Sequence, residues 1–145
     1  MGDELSKLNF KDDFEEALSA ADAARWKLTM LGDLGVVATM HPANVPTELF
    51  EEQLLWAKYP DQPPSLKFRD PATGRLDMSQ AWPMVRGFRP QSLDACVNYC
   101  LEGFNLHPEW KTDPRFAWDP GHNPLLRVLR TLQDELDNYY QGRCK

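Results

Sequence analysis

Two stretches of the chain place apolar residues every three to four positions, which is the spacing of one face of an α-helix. The first stretch predicts a helix from about residue 14 to residue 30, with an Asp13/Glu16 start signal and a stop signal at Gly32. Its apolar positions are Phe14, Leu18, Ala21, Leu28 and Leu31. Residues 1–12, which come before it, are polar and acidic, and they predict a flexible N-terminus.

The second stretch predicts a helix that begins near residue 124 and contains the clearest apolar stripe of the chain. Asn123 has a side chain that caps helix N-termini well, and Pro124 suits the first helical position because its nitrogen has no hydrogen to donate. The stripe consists of Leu125, Val128, Leu129, Leu132, Leu136 and Tyr139. This helix is the most clearly specified element in the sequence.

Three segments between the helices carry strand signals of different clarity. Residues 35–42, GVVATMHP, are short, contain β-branched residues and end at a proline, and residues 65–68, SLKF, follow a double proline; both predict strands. Residues 47–60, TELFEEQLLWAKYP, are ambiguous, because the composition favours a helix while the apolar positions alternate imperfectly as in a strand. The order of elements predicts an α+β fold with helices packed on an antiparallel sheet.

The segment from residue 69 to residue 90 has the composition of a loop, with three prolines, two glycines and four arginines. The arginines are Arg69, Arg75, Arg86 and Arg89. Two interpretations are open at this point. The segment is either a solvated surface loop or a docking surface for an acidic segment of a partner.

Length and charge narrow the class of protein. The 145 residues predict a single domain over 1–145. The net charge of −6 opposes binding to nucleic-acid phosphates. No apolar run approaches the roughly 18 residues of a membrane span, and the acidic N-terminus lacks the features of a secretion signal. The chain has three cysteines, an odd number, and lacks a secretion signal. Together these features predict free thiols in a reducing cytoplasm.

One motif points to a family. Residues 59–68, YPDQPPSLKF, contain Tyr-Pro, two residues, Pro-Pro, three residues and Phe, and this pattern resembles the signature of ubiquitin-conjugating enzymes. Pro63 and Pro64 fix the backbone angle φ and cannot donate hydrogen bonds, so they would end one strand and orient the next. The resemblance implies that the ambiguous segment before Tyr59 is a strand.

Later residues extend the resemblance. Arg89-Pro90-Gln91 stands about where the family has His-Pro-Asn, some ten residues before the catalytic cysteine, and Cys100-Leu101 is followed by Trp110. The resemblance implies an N-terminal helix, a meander of about four strands, an active-site stretch and a central helix from about residue 125. The chain is expected to depart from the family in two respects: the last two helices are missing, and residues 69–88 are an inserted loop.

Short, divergent forms of this kind resemble bacterial relatives found in antiphage operons, the CBASS systems, beside a cyclic-dinucleotide synthase. The resemblance implies a cytoplasmic enzyme that needs no cofactor and no metal. Cys100 would accept the C-terminal glycine of a partner protein, such as that synthase, as a thioester and pass it to a lysine. An activating enzyme would supply the acyl group, or the thiol would act directly on the partner and cleave isopeptide bonds.

Transfer from a thioester builds negative charge on the carbonyl oxygen, which a positioned amide donor stabilises. Gln91 stands where the family has its asparagine and is the first candidate, with Asn98 and Asn105 as alternatives. Four carboxylates could orient the incoming lysine, and the sequence does not choose among them. They are Asp94, Glu102, Asp113 and Asp119.

Several alternatives stay open. Cys96 is the alternative nucleophile, and either cysteine could instead be buried in the core, as free cysteines often are. Cys96, Cys100 and His107 could supply three zinc ligands, although a fourth ligand is not evident. The chain could also be an adaptor of the same fold that binds a partner protein without thioester chemistry, or a helical interaction protein unrelated to conjugation.

Overall fold

The computed structural model describes residues 2–145, and its first element is helix α1, Gly2–Ser19. The predicted helix over 14–30 is therefore wrong at both ends. Residues 2–12, which were predicted to belong to a flexible terminus, are helical, and residue 1 lies outside the described residues. The residues of α1 that reach the core are Phe10, Phe14 and Ala17, at spacings of four and three. Leu18, which the prediction counted as part of the apolar face, is 51% exposed.

Four strands follow α1 and form one antiparallel sheet in the order β1-β2-β3-β4. They are β1 (Lys27–Met30), β2 (Gly35–Met40), β3 (Phe50–Leu55) and β4 (Ser65–Arg69). The strands predicted at 35–42 and 65–68 are confirmed, and the ambiguous segment before Tyr59 is a strand. β1 was missed because it lies inside the stretch that was predicted to be helical.

One face of this sheet is buried. Successive residues of a strand point to opposite faces, and in β3 the inward positions are Phe50, Glu52 and Leu54. Glu52 lies beside Ala38 of β2 and Phe68 of β4, with which it is in register. A carboxyl side chain therefore occupies the middle of an otherwise apolar face.

The second half of the chain contains a short two-stranded sheet, β5 (Phe88–Arg89) and β6 (Asp94–Ala95), followed by helix α2 (Leu101–Leu106) and helix α3 (Pro124–Tyr139). The prediction of α3 is confirmed, including its cap. The Asn123 side chain accepts a hydrogen bond of 2.9 Å from the Leu126 N–H, and Pro124 is the first helical residue. The buried side of α3 joins the same core as the sheet.

Between β4 and β5 the predicted loop is irregular apart from one 3₁₀ turn, Ser79–Ala81, and the C-terminal tail is bound to it. The backbone of Met84 exchanges hydrogen bonds with Gln141 and Gly142, and the Cys144 N–H donates to the Trp82 carbonyl. Each arginine in or beside the loop is paired within the chain: Arg69 with Glu51, Arg75 with Asp77, Arg86 with Glu135 and Arg89 with Asp94. Because these arginines already have acidic partners, the structure favours the surface-loop interpretation over docking.

Among residues 2–145, no helix combines the length and the apolar character needed to cross a membrane.

Candidate functional site

Cys100 lies immediately before α2, and its side chain is fully buried, with 0% exposed. Its Sγ lies 3.4 Å from the Ala95 carbonyl oxygen and 3.8 Å from that of Val97, so the thiol donates to the backbone. Burial raises the pKa of this thiol to about 12. A sulfur buried in this way is not accessible to the C-terminal glycine that the predicted nucleophile would have to reach.

The burial has a local cause in the contact between α2 and the segment before it. A Cβ atom at Gly103 would lie 1.8 Å from the Val97 carbonyl oxygen, so only glycine allows α2 to approach this closely. The Leu101 N–H also donates to the Pro64 carbonyl, which holds the start of α2 against the double-proline turn. Together these contacts keep the 95–97 backbone packed against the sulfur.

Cys96 occupies a different environment, since it is partly exposed. It lines an open cavity of about 340 Å³, which we call the Cys96 groove. The groove is lined by Arg86, Gly87, Cys96, Val97, Asn98, Tyr99, Trp110, Phe116 and Glu135. The structure thus gives access to the alternative nucleophile and not to the leading one.

The two principal oxyanion candidates are both engaged elsewhere. The Gln91 side chain is exposed and donates to the sulfur of Cys144 in the C-terminal tail at 3.4 Å. Asn98 donates to the Phe116 carbonyl at 3.3 Å and lines the Cys96 groove. The structure therefore places Asn98 near Cys96, and it does not bring Gln91 into hydrogen-bond contact with Cys100.

The four candidate carboxylates all lie beside cations of the chain itself. The pairs are Asp94 with Arg89, Glu102 with Lys67, Asp113 with Arg115, and Asp119 with Arg127. Glu102 also accepts the Leu66 N–H at 3.0 Å and so ties α2 to β4. The interactions of these carboxylates are consistent with structural roles.

Two stacked aromatic rings, those of Trp110 and Phe116, line one wall of the Cys96 groove, and His107 extends the stack beyond it. The rings of His107 and Trp110 stack with centroids 4.4 Å apart, and those of Trp110 and Phe116 stack at 5.0 Å. His107 also bonds to Glu109 through Nδ1 at 3.0 Å. Within the described part of the chain, no three His, Cys, Asp or Glu side chains are grouped to hold a metal ion, so Cys96, Cys100 and His107 do not form a ligand set.

Tyr99 and the Arg86–Glu135 ion pair were missed by the sequence analysis. The Tyr99 hydroxyl is buried and lacks a hydrogen-bond partner within residues 2–145, and burial, with the charge of Glu135 acting in the same direction, raises the pKa of the phenol. Arg86 binds Glu135 and lies over the Tyr139 ring at 3.5 Å. The concentration of aromatic residues between 99 and 118 is the one sequence signal for this wall.

Comparisons of the chain with protein-family models, curated proteins and solved structures gave no match. The resemblance to ubiquitin-conjugating enzymes consequently rests on the sequence motifs alone, and the α+β topology is compatible with it.

Proposed function

We propose that this chain is a protein-binding domain with a ubiquitin-conjugating-like arrangement, which holds a partner protein without forming a thioester on Cys100. The observation that carries the proposal is the burial of the Cys100 sulfur under backbone carbonyls. This is the adaptor alternative of the sequence analysis, and the geometry favours it over the carrier.

Two physical reasons make Cys100 a poor nucleophile in this conformation. Acyl transfer needs a thiolate, and with a pKa of about 12 only about one thiol in 10⁵ is ionised at pH 7. An attacking sulfur must also reach the carbonyl carbon of a protein chain, and a side chain with 0% exposure offers no path for that approach.

The arrangement around the double proline supports the ubiquitin-conjugating-like part of the proposal. Tyr59 is buried, its hydroxyl donates to Asp13 on α1, and it also accepts the Leu125 N–H of α3. The motif thus joins the N-terminal helix, the end of the meander and the central helix, which are the elements that the resemblance implies. Pro63 and Pro64 are buried at the entry to β4.

The Cys96 groove is the surface that we assign to the partner. It is open and mostly apolar, and partly exposed aromatic rings form its wall. Aromatic side chains contribute much of the binding energy at protein interfaces. The partner that the resemblance implies is a protein with an exposed C-terminal glycine, with a cyclic-dinucleotide synthase as the first candidate.

Site-specific thiol labelling tests the burial that carries the proposal. With N-ethylmaleimide at pH 7 and peptide mass spectrometry, we expect Cys96 to react first and Cys100 to react at least about 100-fold more slowly. The same protein in urea should label at all three cysteines, which controls for detection. Equal labelling rates of Cys96 and Cys100 in the folded protein would restore the carrier interpretation.

A second experiment tests the binding itself. We expect the synthase to form a complex with a variant in which all three cysteines are replaced by alanine, measured by biolayer interferometry. Phe116→Ala should weaken this complex about tenfold, whereas Leu55→Ala, which truncates an exposed apolar side chain on β3, should not. Absence of a complex with both the wild type and the cysteine-free variant would refute the adaptor for this partner.

The partial exposure of Cys96 favours one further candidate, thioester chemistry at that residue with Asn98 as the amide donor. The protein, the synthase and an activating enzyme are mixed and separated on a non-reducing gel. A thiol-sensitive adduct that survives Cys100→Ala and disappears with Cys96→Ala would support this candidate. An ester trapped on Cys100→Ser would instead assign the chemistry to residue 100.

A further inference from the structure

A second cavity, which we call the Trp118 pocket, lies between the double-proline turn, α2 and the segment that precedes α3. Its volume is about 340 Å³, which falls in the range of about 300–1,000 Å³ that is typical of small-molecule sites. The pocket is lined by Asp61, Gln62, Pro63, Leu101, Phe104, Lys111, Ala117 and Trp118. No element of the proposed function uses this pocket.

Two hydrogen bonds connect the walls of the pocket to one another. The Trp118 indole N–H donates to the Pro60 carbonyl at 2.9 Å, and this bond joins the segment before α3 to the double-proline turn. The Leu101 N–H donates to the Pro64 carbonyl at 2.7 Å and joins α2 to the same turn. A site whose walls are already connected loses little conformational entropy when a ligand enters.

The lining combines apolar surface with the Gln62 side chain and two charged residues of opposite sign. Pro63 and Phe104 are buried, and the rings and side chains of Trp118 and Leu101 complete the apolar surface. Asp61 and Lys111 are both exposed residues of this lining. The pocket therefore offers one carboxylate, one ammonium group and an apolar surface.

Asp61 and Lys111 differ from the charged residues of the Cys96 groove in their interactions within the chain. In the Cys96 groove the charged pair, Arg86 and Glu135, is joined by two hydrogen bonds of 3.1 and 3.0 Å. Asp61 and Lys111, by contrast, form no ion pair with any residue in the range 2–145. Charges that are not satisfied within the chain are available to a ligand.

We propose that the Trp118 pocket binds a free α-amino acid with an apolar side chain. Asp61 would bind the α-ammonium group, Lys111 the α-carboxylate, and the apolar walls the side chain. An α-amino acid carries two opposite charges and an apolar group, and the lining complements all three. The inference is independent of whether the domain is an adaptor or a thioester carrier.

Nuclear magnetic resonance provides a direct test with L-leucine as the probe. The indole N–H of Trp118 reports on the pocket, and the Trp118→Phe variant identifies its resonance among the five tryptophans. We expect L-leucine to shift this resonance with saturation in the millimolar range or below. No shift at 10 mM, on the order of the weakest useful affinities, would overturn the proposal.

Analogues of L-leucine distinguish the contribution of its two charges to the affinity from that of its apolar side chain. L-leucinamide lacks the carboxylate, N-acetyl-L-leucine lacks the ammonium group, and N-acetyl-L-leucinamide lacks both. We expect each single loss to weaken binding about tenfold and the double loss to abolish it. If N-acetyl-L-leucinamide binds as well as L-leucine, the pocket accepts an apolar side chain of a protein partner, and the amino-acid proposal is wrong.

Variants of the two charges complete the test. Asp61→Asn should weaken binding of L-leucine about tenfold and leave the affinity for N-acetyl-L-leucine, which lacks the ammonium group, unchanged. Lys111→Met should weaken binding of L-leucine by a similar factor and leave the affinity for L-leucinamide, which lacks the carboxylate, unchanged. Lys58→Met and Asp134→Asn remove comparable exposed charges outside the pocket and should leave affinity unchanged. Wild-type affinity in both pocket variants would refute the assigned roles.

Discussion

Glu52 is the least compatible residue with its surroundings. Its side chain is fully buried on the inner face of β3, and both carboxylate oxygens lack a hydrogen-bond partner in the part of the chain that the structure describes. Burial raises the pKa of this carboxyl well above 4.5. The group is therefore expected to remain neutral over much of the pH range in which an ordinary glutamate is charged.

A pH dependence of stability follows from this shift. In the unfolded chain Glu52 releases its proton near its ordinary pKa of 4.5, whereas the folded protein retains it to higher pH. Stability should therefore fall as pH rises above about 4.5, by up to about 1.4 kcal/mol per pH unit until the folded pKa is reached. Glu52→Gln removes this contribution, and its free energy of unfolding in urea should decline less between pH 5 and pH 8.

Glu15→Gln is the matched control, since Glu15 is exposed on α1. It should show the same pH profile as the wild type. If Glu52→Gln and the wild type lose equal stability over this range, Glu52 is charged in the folded protein and must have a partner or solvent access.

The sequence could indicate that residue 100 or residue 96 was reactive, but not which one was accessible. Cys100 is adjacent to Leu101, as the catalytic cysteine of the family often is to a leucine, and nothing in that spacing reports burial. What closes the site is the contact between Gly103 and the Val97 carbonyl, which depends on the backbone of two segments. Motifs predict which residues can do chemistry, whereas packing decides which of them meet a substrate.

At the level of elements, the local pattern of apolar residues was sufficient to predict a helix or strand that has one buried side and clear signals at its ends. α3 has a continuous stripe together with a cap, and β2 and β4 have turn signals at their ends, so all three were predicted. α1 was misplaced because its core contacts begin at Phe10, and apolar residues beyond Ser19 belong to a turn and to β1. Pairing with β2 makes Lys27–Met30 a strand, and pairing between distant segments is not visible in a local pattern.

The contact between α2 and the 95–97 segment can be tested by Gly103→Ala. The added methyl group would overlap the Val97 carbonyl at 1.8 Å, so α2 must move. Overpacking of this kind costs about 1–3 kcal/mol, and we expect a loss of that size in urea unfolding. We also expect maleimide labelling of Cys100 to accelerate.

Asn105→Ala changes an exposed residue on the same helix and should alter neither quantity. A Gly103→Ala protein that is destabilised but keeps Cys100 unreactive would show that other contacts cover the sulfur.

At the scale of the whole molecule, the C-terminal tail connects parts that are distant in sequence. Arg143 binds Glu48 at 2.6 Å and donates to the carbonyls of Leu49 and Gln80 at 2.7 and 2.9 Å. Its guanidinium group also lies 4.2 Å from the centre of the Phe50 ring. One side chain thus joins the β2–β3 connection, the 69–88 loop and the tail.

Arg143→Ala removes all of these contacts and leaves two backbone carbonyls without this donor. Since the Arg143 side chain is about one third exposed, we expect a moderate loss of about 1–2 kcal/mol in the free energy of unfolding. Hydrogen exchange at the amides of Met84 and Cys144 should accelerate more than exchange within the main sheet. Lys145→Ala is the control and should match the wild type; equal acceleration in the sheet would mean that the tail is not a separate unit.

The three residues from Phe116 to Trp118 separate the two cavities, with Phe116 on the Cys96 groove and Trp118 on the other side. This short stretch of backbone is a physical connection between the two cavities. Any coupling of binding between them would have to be reciprocal. If a small molecule in the Trp118 pocket raises the affinity of the Cys96 groove for a protein, the bound protein must raise the affinity of the pocket for the small molecule by the same factor.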